Sequence, residues 1–225
     1  FRSVESGRTL ALDLQWAEPW FGVGTDIDAF LLGENGKLVE DEGSPVFSAE
    51  DNVNGSQRPF EFLSWENTGP TQEVQLVVNR LSGGEPPLKF ALLENGRGVS
   101  ETEYPQSSEG DVVGPTIFGH SGAAAAISVA AVPFDDSSEA ERYSSRGPVT
   151  HDFGPVLGSS AAPPVTRQVI AKPDLAATDC GVTTFFASRD KSGAWRFCGT
   201  SVAAPHAAAV AALVRQANPG ASAFH

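Results

Sequence analysis

Gly199-Thr200-Ser201-Val202-Ala203-Ala204-Pro205-His206 is the stretch on which the reading of this chain turns. A glycine and two hydroxyl residues lead into an Ala-rich segment, in which seven of the ten residues 203–212 are alanine. Asn218-Pro219-Gly220 closes it. The pattern predicts a helix over 203–214 whose narrow side chains suit close packing in a central, buried position. Pro205 lies in the early helix, where its missing N–H does little harm. Ser201 then stands at the helix N-terminus, where unpaired N–H groups and a partial positive charge can stabilise an oxyanion forming beside its hydroxyl. The same position suits a serine that only caps the helix, and the residues alone leave both roles open. A nucleophile elbow is disfavoured, because Ala203 stands where the second glycine of G-x-S-x-G belongs. His206 is rejected as a base: five residues place it roughly 140° around the helix from Ser201. It reads as a packed or interface histidine.

Upstream of this helix, Ile127 to Val132 is an apolar run of strand length, consistent with a sheet buried on both faces. A buried strand followed by a buried helix favours an α/β layer. Residues 97–115, rich in Gly, Ser, Glu and Pro, read as an exposed connection. The segment before residue 96 differs. Leu10, Leu12, Leu14 and Trp16 alternate with polar or small residues, as do Ile27, Ala29 and Leu31. The second run ends in Gly33-Glu34-Asn35-Gly36, a hairpin-turn signal from which Leu38 and Val39 return. Phe60, Phe62 and Ser64 alternate with Glu61, Leu63 and Trp65, and Val74 to Val78 and Leu88 to Leu93 are further strand-like runs. No helical period precedes residue 96. Five or six short strands in about a hundred residues suggest an all-β sandwich or jelly roll.

Charge divides at the same place. Residues 1–96 carry 16 acids and 6 bases, and residues 97–225 carry 12 acids and 9 bases. The expected organisation is therefore a β-sandwich domain over 1–96 and an α/β portion over 97–225, joined near Asn95-Gly96. The 225 residues have 40% hydrophobic and 19% charged side chains, which excludes wholesale disorder. A net charge of −13 repels phosphate backbones, so no nucleic-acid partner is expected. No apolar run approaches the roughly 18 residues of a membrane helix, so no membrane partner is expected either. The N-terminus has no signal-peptide core. With no Met and a leading Phe1, the chain reads as a processed or excised piece.

The segment around Ser201 resembles the G-T-S-x-A-x-P-H signature at the nucleophile of the subtilisin-like serine proteases, the subtilases of peptidase family S8. Three further stretches resemble that family in the same order. Ile127 to Val132 is similar to its internal strand, Tyr143-Ser144-Ser145-Arg146-Gly147-Pro148 to its F/Y-S-S-x-G-P loop, and Lys172-Pro173-Asp174-Leu175-Ala176-Ala177 to its K-P-D-[IVL]-x-A strand. The resemblance covers residues 115–225. It implies the C-terminal portion of a three-layer α/β catalytic domain, with 1–96 inserted as the sandwich. It makes Ser201 the acyl-forming nucleophile, with its backbone N–H in the oxyanion hole. Protein or peptide is the implied substrate, and the implied location is secreted or extracellular.

The departures carry equal weight. The family's Asp and His precede its serine, in D-[ST]-G and H-G-T-H contexts, and neither motif occurs here. Of the four histidines, His206 and His225 follow Ser201, and His120 and His151 do not match the context. The missing Asp/His half is thus an expected partner, lying upstream, and this chain alone is expected to be inactive. The family's oxyanion Asn has one loose counterpart, Asn95, which also reads as a turn residue at the junction.

Cys180 and Cys198 show no zinc spacing. They read as free core thiols or, given the export that the resemblance implies, as a disulfide closing an 18-residue separation. Such a loop is worth about 3 kcal/mol in the chain-entropy model. No cofactor and no metal ligand set is expected. An EF-hand from Asp26 fails at Leu31 and Lys37, which leaves Asp26 and Asp28 as either a sandwich-type calcium site or a solvated strand face. The alternative from another class is a non-catalytic docking module or pseudopeptidase that binds a partner or substrate through the acidic sandwich.

Overall fold

The computed structural model describes residues 3–93, 99–101, 114–141 and 143–220. Among them the chain is strand-rich, with one α-helix. It divides into two compact units, Phe1–Val112 with His151–Gln168, and Val113–Thr150 with Val169–His225. The expected joint at 96/97 and residues 102–113 of the connection expected over 97–115 lie outside the described residues; within that connection Val99–Glu101 is instead a strand, paired with Ser3–Val4.

In the first unit the strands are β1 (Ser3–Val4), β2 (Arg8–Trp16), β3 (Asp26–Gly33), β4 (Glu40–Asp41), β5 (Ser44–Pro45), β6 (Phe47–Ser48), β7 (Phe60–Asn67), β8 (Val74–Ser82), β9 (Leu88–Leu92) and β10 (Val99–Glu101). Two three-stranded sheets dominate, in the orders β7-β2-β9 and β6-β3-β8, and every pairing in them is antiparallel. The alternation in β2 puts Leu10, Leu12, Leu14 and Trp16 on one face, and that in β3 does the same for Ile27, Ala29 and Leu31. These residues meet Leu63, Trp65 and Val74 in a single buried cluster. The turn after β3 forms as its sequence demands, with Gly36 at φ 69° and its N–H donating to the Gly33 carbonyl.

Strand β7 carries apolar side chains on both sides, and the structure buries one of them. Phe60 and Phe62 lie on its outer side, Phe62 being 44% exposed, while Glu61, Leu63, Trp65 and Asn67 are buried. Glu61 is tolerated because Asn52 Nδ2 donates to its Oε1 at 2.8 Å and the Ser48 hydroxyl donates to its Oε2. Asn52 begins a π-helical turn, Asn52–Ser56, and is itself fully satisfied. Its N–H donates to Asp26 Oδ1 (3.2 Å), and its Oδ1 accepts the Ile27 N–H (3.1 Å). The solvated-face reading of Asp26 and Asp28 is thereby overturned, since both are buried in β3. Asp28 Oδ2 accepts from Asn79 Nδ2 on β8.

The remaining strands are β11 (Val129–Val132), β12 (Val149–Phe153), β13 (Pro164–Ile170), β14 (Leu175–Thr178), β15 (Gly181–Thr183), β16 (Ser188–Arg189) and β17 (Trp195–Phe197), followed by α1 (Thr200–Ala217). Strands β12 and β13 pair with each other. In the second unit β11 and β14 run parallel, Val129 opposite Leu175 through Val132 opposite Thr178, and α1 packs on this pair. Strands β15, β17 and β16 form a small antiparallel sheet just before the helix.

Sheet and helix are the two layers present among the described residues. Ala130 and Ala131 are buried, as expected of a covered strand, but Ile127 is 55% exposed. Contrary to the central position expected of it, α1 buries only Val202 and Ala203. Val210, Leu213 and Val214 stand in solvent at 60%, 65% and 52% exposure. The helix's small residues fit it closely to β11 and β14 on one side, and nothing among the described residues covers the other.

Candidate active site

Ser201 occupies the second position of α1 and is exposed. Gly199 is the N-cap residue, at φ 125° and ψ 160°, a conformation that a Cβ would strain. Its carbonyl accepts the N–H groups of Val202 (2.9 Å) and Ala203 (3.4 Å). Helix geometry leaves the Ser201 N–H without an intrahelical acceptor. No side chain caps α1, so Ser201 does not spend its hydroxyl on the helix end. Among the described residues no hydrogen bond reaches that hydroxyl. Pro205 sits inside the first turns without breaking the helix.

Two links tie the segment before Ser201 to the end of β14. Cys180 and Cys198 form a disulfide. Asp179, fully buried, accepts the N–H groups of Cys180 and Gly199 on its Oδ1, the second at 2.7 Å. Asp179 escaped the sequence reading because its partner lies 20 residues away and no motif marks it.

The Lys172-Pro173-Asp174 and Gly147-Pro148 stretches also meet. Both Xaa-Pro bonds are cis. A Cβ on Gly147 would lie 2.0 Å from the Lys172 carbonyl oxygen, so only glycine allows this approach. Lys172 is buried, and its Nζ donates to the Ala126 carbonyl and to Asp174 Oδ2, the latter at 2.7 Å. Asp174 Oδ2 also accepts the Ser128 N–H at 2.7 Å. The hydrogen bond from Lys172, with those from Ser128, holds the Asp174 carboxyl below its ordinary range. The Tyr-Ser-Ser loop closes the group, since the Ser144 hydroxyl accepts the Ala131 N–H at 2.7 Å. These contacts fix β14 beside β11 and so fix the sheet that carries α1.

The histidines are placed apart. His206 Nδ1 lies 2.8 Å from the Thr178 carbonyl oxygen and its ring rests against Gly181, so it packs on the end of β14. His120 is exposed in the 3-10 turn Gly119–Gly122, and His151 is half-buried in β12. Neither makes a side-chain hydrogen bond among the described residues. Asn95 and His225 lie outside them. One group of metal-ligand types clusters there, Asp179 with Cys180 and Cys198, and its two sulfurs are already bonded to each other. Asp26 and Asp28 belong to no such cluster among the described residues.

The model of the Subtilase family, Peptidase S8, matches residues 84–224, more than half of the chain. The chain belongs to the subtilase family. The match starts ahead of the landmark stretches and takes in β9, which the structure pairs with β2. No curated protein and no solved structure matches the chain.

Proposed function

We propose that this chain is the nucleophile-bearing, C-terminal portion of a secreted subtilisin-like serine endopeptidase. The observation that carries the reading is Ser201: exposed, uncapped, with a free hydroxyl at the N-terminus of α1, inside the family's own serine context. In this reading the hydroxyl attacks the carbonyl carbon of a peptide bond and the Ser201 N–H donates to the oxyanion that forms. Acyl transfer of this kind needs no cofactor and no metal.

A serine hydroxyl must lose its proton as it attacks, and a histidine held by a carboxylate takes that proton in such sites. His206 is committed to the Thr178 carbonyl, and His120 and His151 hold no carboxylate among the described residues. The triad Asp and His therefore belong to an upstream half of the domain, which also supplies the third layer and covers the apolar side of α1 at Val210, Leu213 and Val214. The two three-stranded sheets of the first unit, with their shared core, form a β-sandwich inserted between that half and the serine half.

The test is to express the chain preceded by its own upstream reading frame and assay hydrolysis of a denatured protein substrate. Activity abolished by Ser201→Ala supports the reading. An upstream frame without D-[ST]-G and H-G-T-H, together with no hydrolysis, refutes it.

A further inference from the structure

Asp179 has no part in the acyl transfer outlined above, yet it is a fully buried carboxylate hydrogen-bonded directly to Gly199, the N-cap of the nucleophile's helix. Its own N–H donates to the Val132 carbonyl at 2.8 Å, which locks its backbone to β11. Its Oδ1 takes the N–H groups of Cys180 and Gly199, and its Oδ2 is buried without a partner among the described residues. Burying a carboxylate with one oxygen unpartnered is costly, so the arrangement calls for a reason.

The disulfide beside it does not make Asp179 redundant. A disulfide fixes the distance between Cys180 and Cys198 but leaves the Gly199 peptide free to rotate. The direction of the Gly199 N–H is set by the carboxylate alone, and that of its carbonyl by Val202 and Ala203. Gly199 is thus gripped on both sides in a conformation it would otherwise leave easily, and Ser201 follows two residues later.

We propose that Asp179 is the positioning residue for Ser201, an inference that rests on the nucleophile reading above. It holds the Gly199 peptide so that the Ser201 hydroxyl and N–H keep one orientation. Losing this grip misplaces the nucleophile without removing any reacting group.

The experiment compares unaltered protein, Asp179→Ala and Asp179→Asn. The Asn variant retains the oxygen that accepts both N–H groups. Two readouts are taken: amide exchange at Gly199 in the 225-residue chain, and kcat and KM for a peptide substrate in the chain with its upstream frame. Asp179→Ala is expected to speed Gly199 exchange and to lower kcat roughly 10–100-fold with KM little changed, as a misplaced reacting group does. Asp179→Asn is expected to restore both to within about threefold. Exchange in β11 and β14, the strands of the second unit on which α1 packs, shows whether each variant is folded there. Unchanged Gly199 exchange in Asp179→Ala overturns the proposal, as does faster exchange with undiminished kcat. If the unaltered extended protein is inactive, the nucleophile reading fails, and the exchange result alone decides whether Asp179 holds Gly199.

Discussion

Gly199 and Asp190 show how single residues fix the local backbone of the second unit. At φ 125° and ψ 160°, Gly199 occupies a backbone region that other residues enter at a cost of about 1–3 kcal/mol. Gly199→Ala is therefore expected to destabilise the second unit by about that amount, measured by urea unfolding followed at Trp195. Asp190 organises the turn between β16 and β17. It accepts from the Ser192 hydroxyl and N–H, from Arg196 Nε at 2.6 Å and from the Ala194 N–H, and together these pull its pKa down to about 2. A depressed carboxyl contributes stability that is present above its ordinary value of 3.8 and is lost as pH falls through about 2. The Arg196 Nε–H resonance is expected to hold its position at pH 5 and move only below pH 3; movement centred near pH 4 would contradict the contact. Ser201 and the cysteines were legible because their signals are local, a motif and a pair of rare residues. Asp179 and the Lys172–Asp174 grip on Ala126 and Ser128 were not, since their partners lie 20 and 46 residues away.

At the scale of elements, alternation located β2 and β3 and the face each packs into the core, because Leu10, Leu12, Leu14 and Trp16, and Ile27, Ala29 and Leu31, recur at every second residue. It left the inner face of β7 open, because aromatic Phe60 and Phe62 compete with Leu63 and Trp65 for it. The contest is decided by the neighbours of Glu61. Asn52, donated by a turn that no helical or strand period marks, makes a buried carboxylate tolerable. Asn52→Ala would strip side-chain hydrogen bonds from Glu61, the Arg58 carbonyl and the Ile27 N–H together, while the backbone N–H keeps its bond to Asp26. The expected loss is about 3 kcal/mol, in urea unfolding, from buried groups left unpaired. Burial outweighs the hydrogen bonds from Ser48 and Asn52 and raises the Glu61 carboxyl above its ordinary 4.5. The folded state thus holds this proton more tightly than the unfolded chain. The contribution is fully present below pH 4.5 and declines as pH rises through the raised value. Glu61→Gln should flatten that part of the stability–pH curve, and an unchanged slope between pH 4.5 and 7 would argue against it.

For the whole molecule, charge and periodicity pointed to a strand-rich first part and a helix-bearing second, and the compact units carry these elements. The return of residues 151–168 to the first unit was not legible, because β12 and β13 show no pattern that distinguishes them from strands of the second. The exposed side of α1 has the same lesson from the other direction. An Ala-rich helix reads as buried, and this one is buried on one side only. Thiol titration of the unreduced, denatured chain is expected to find no free thiol, in keeping with the Cys180–Cys198 bond. The central claim, that Ser201 is a nucleophile completed by residues outside this chain, is tested most directly by fluorophosphonate labelling read by intact mass and peptide mapping. The chain alone should take up essentially no label, and the chain with its upstream frame should take up one, on Ser201, lost in Ser201→Ala. Robust labelling of Ser201 in the isolated 225 residues, or labelling of the extended protein that survives Ser201→Ala, would contradict the account.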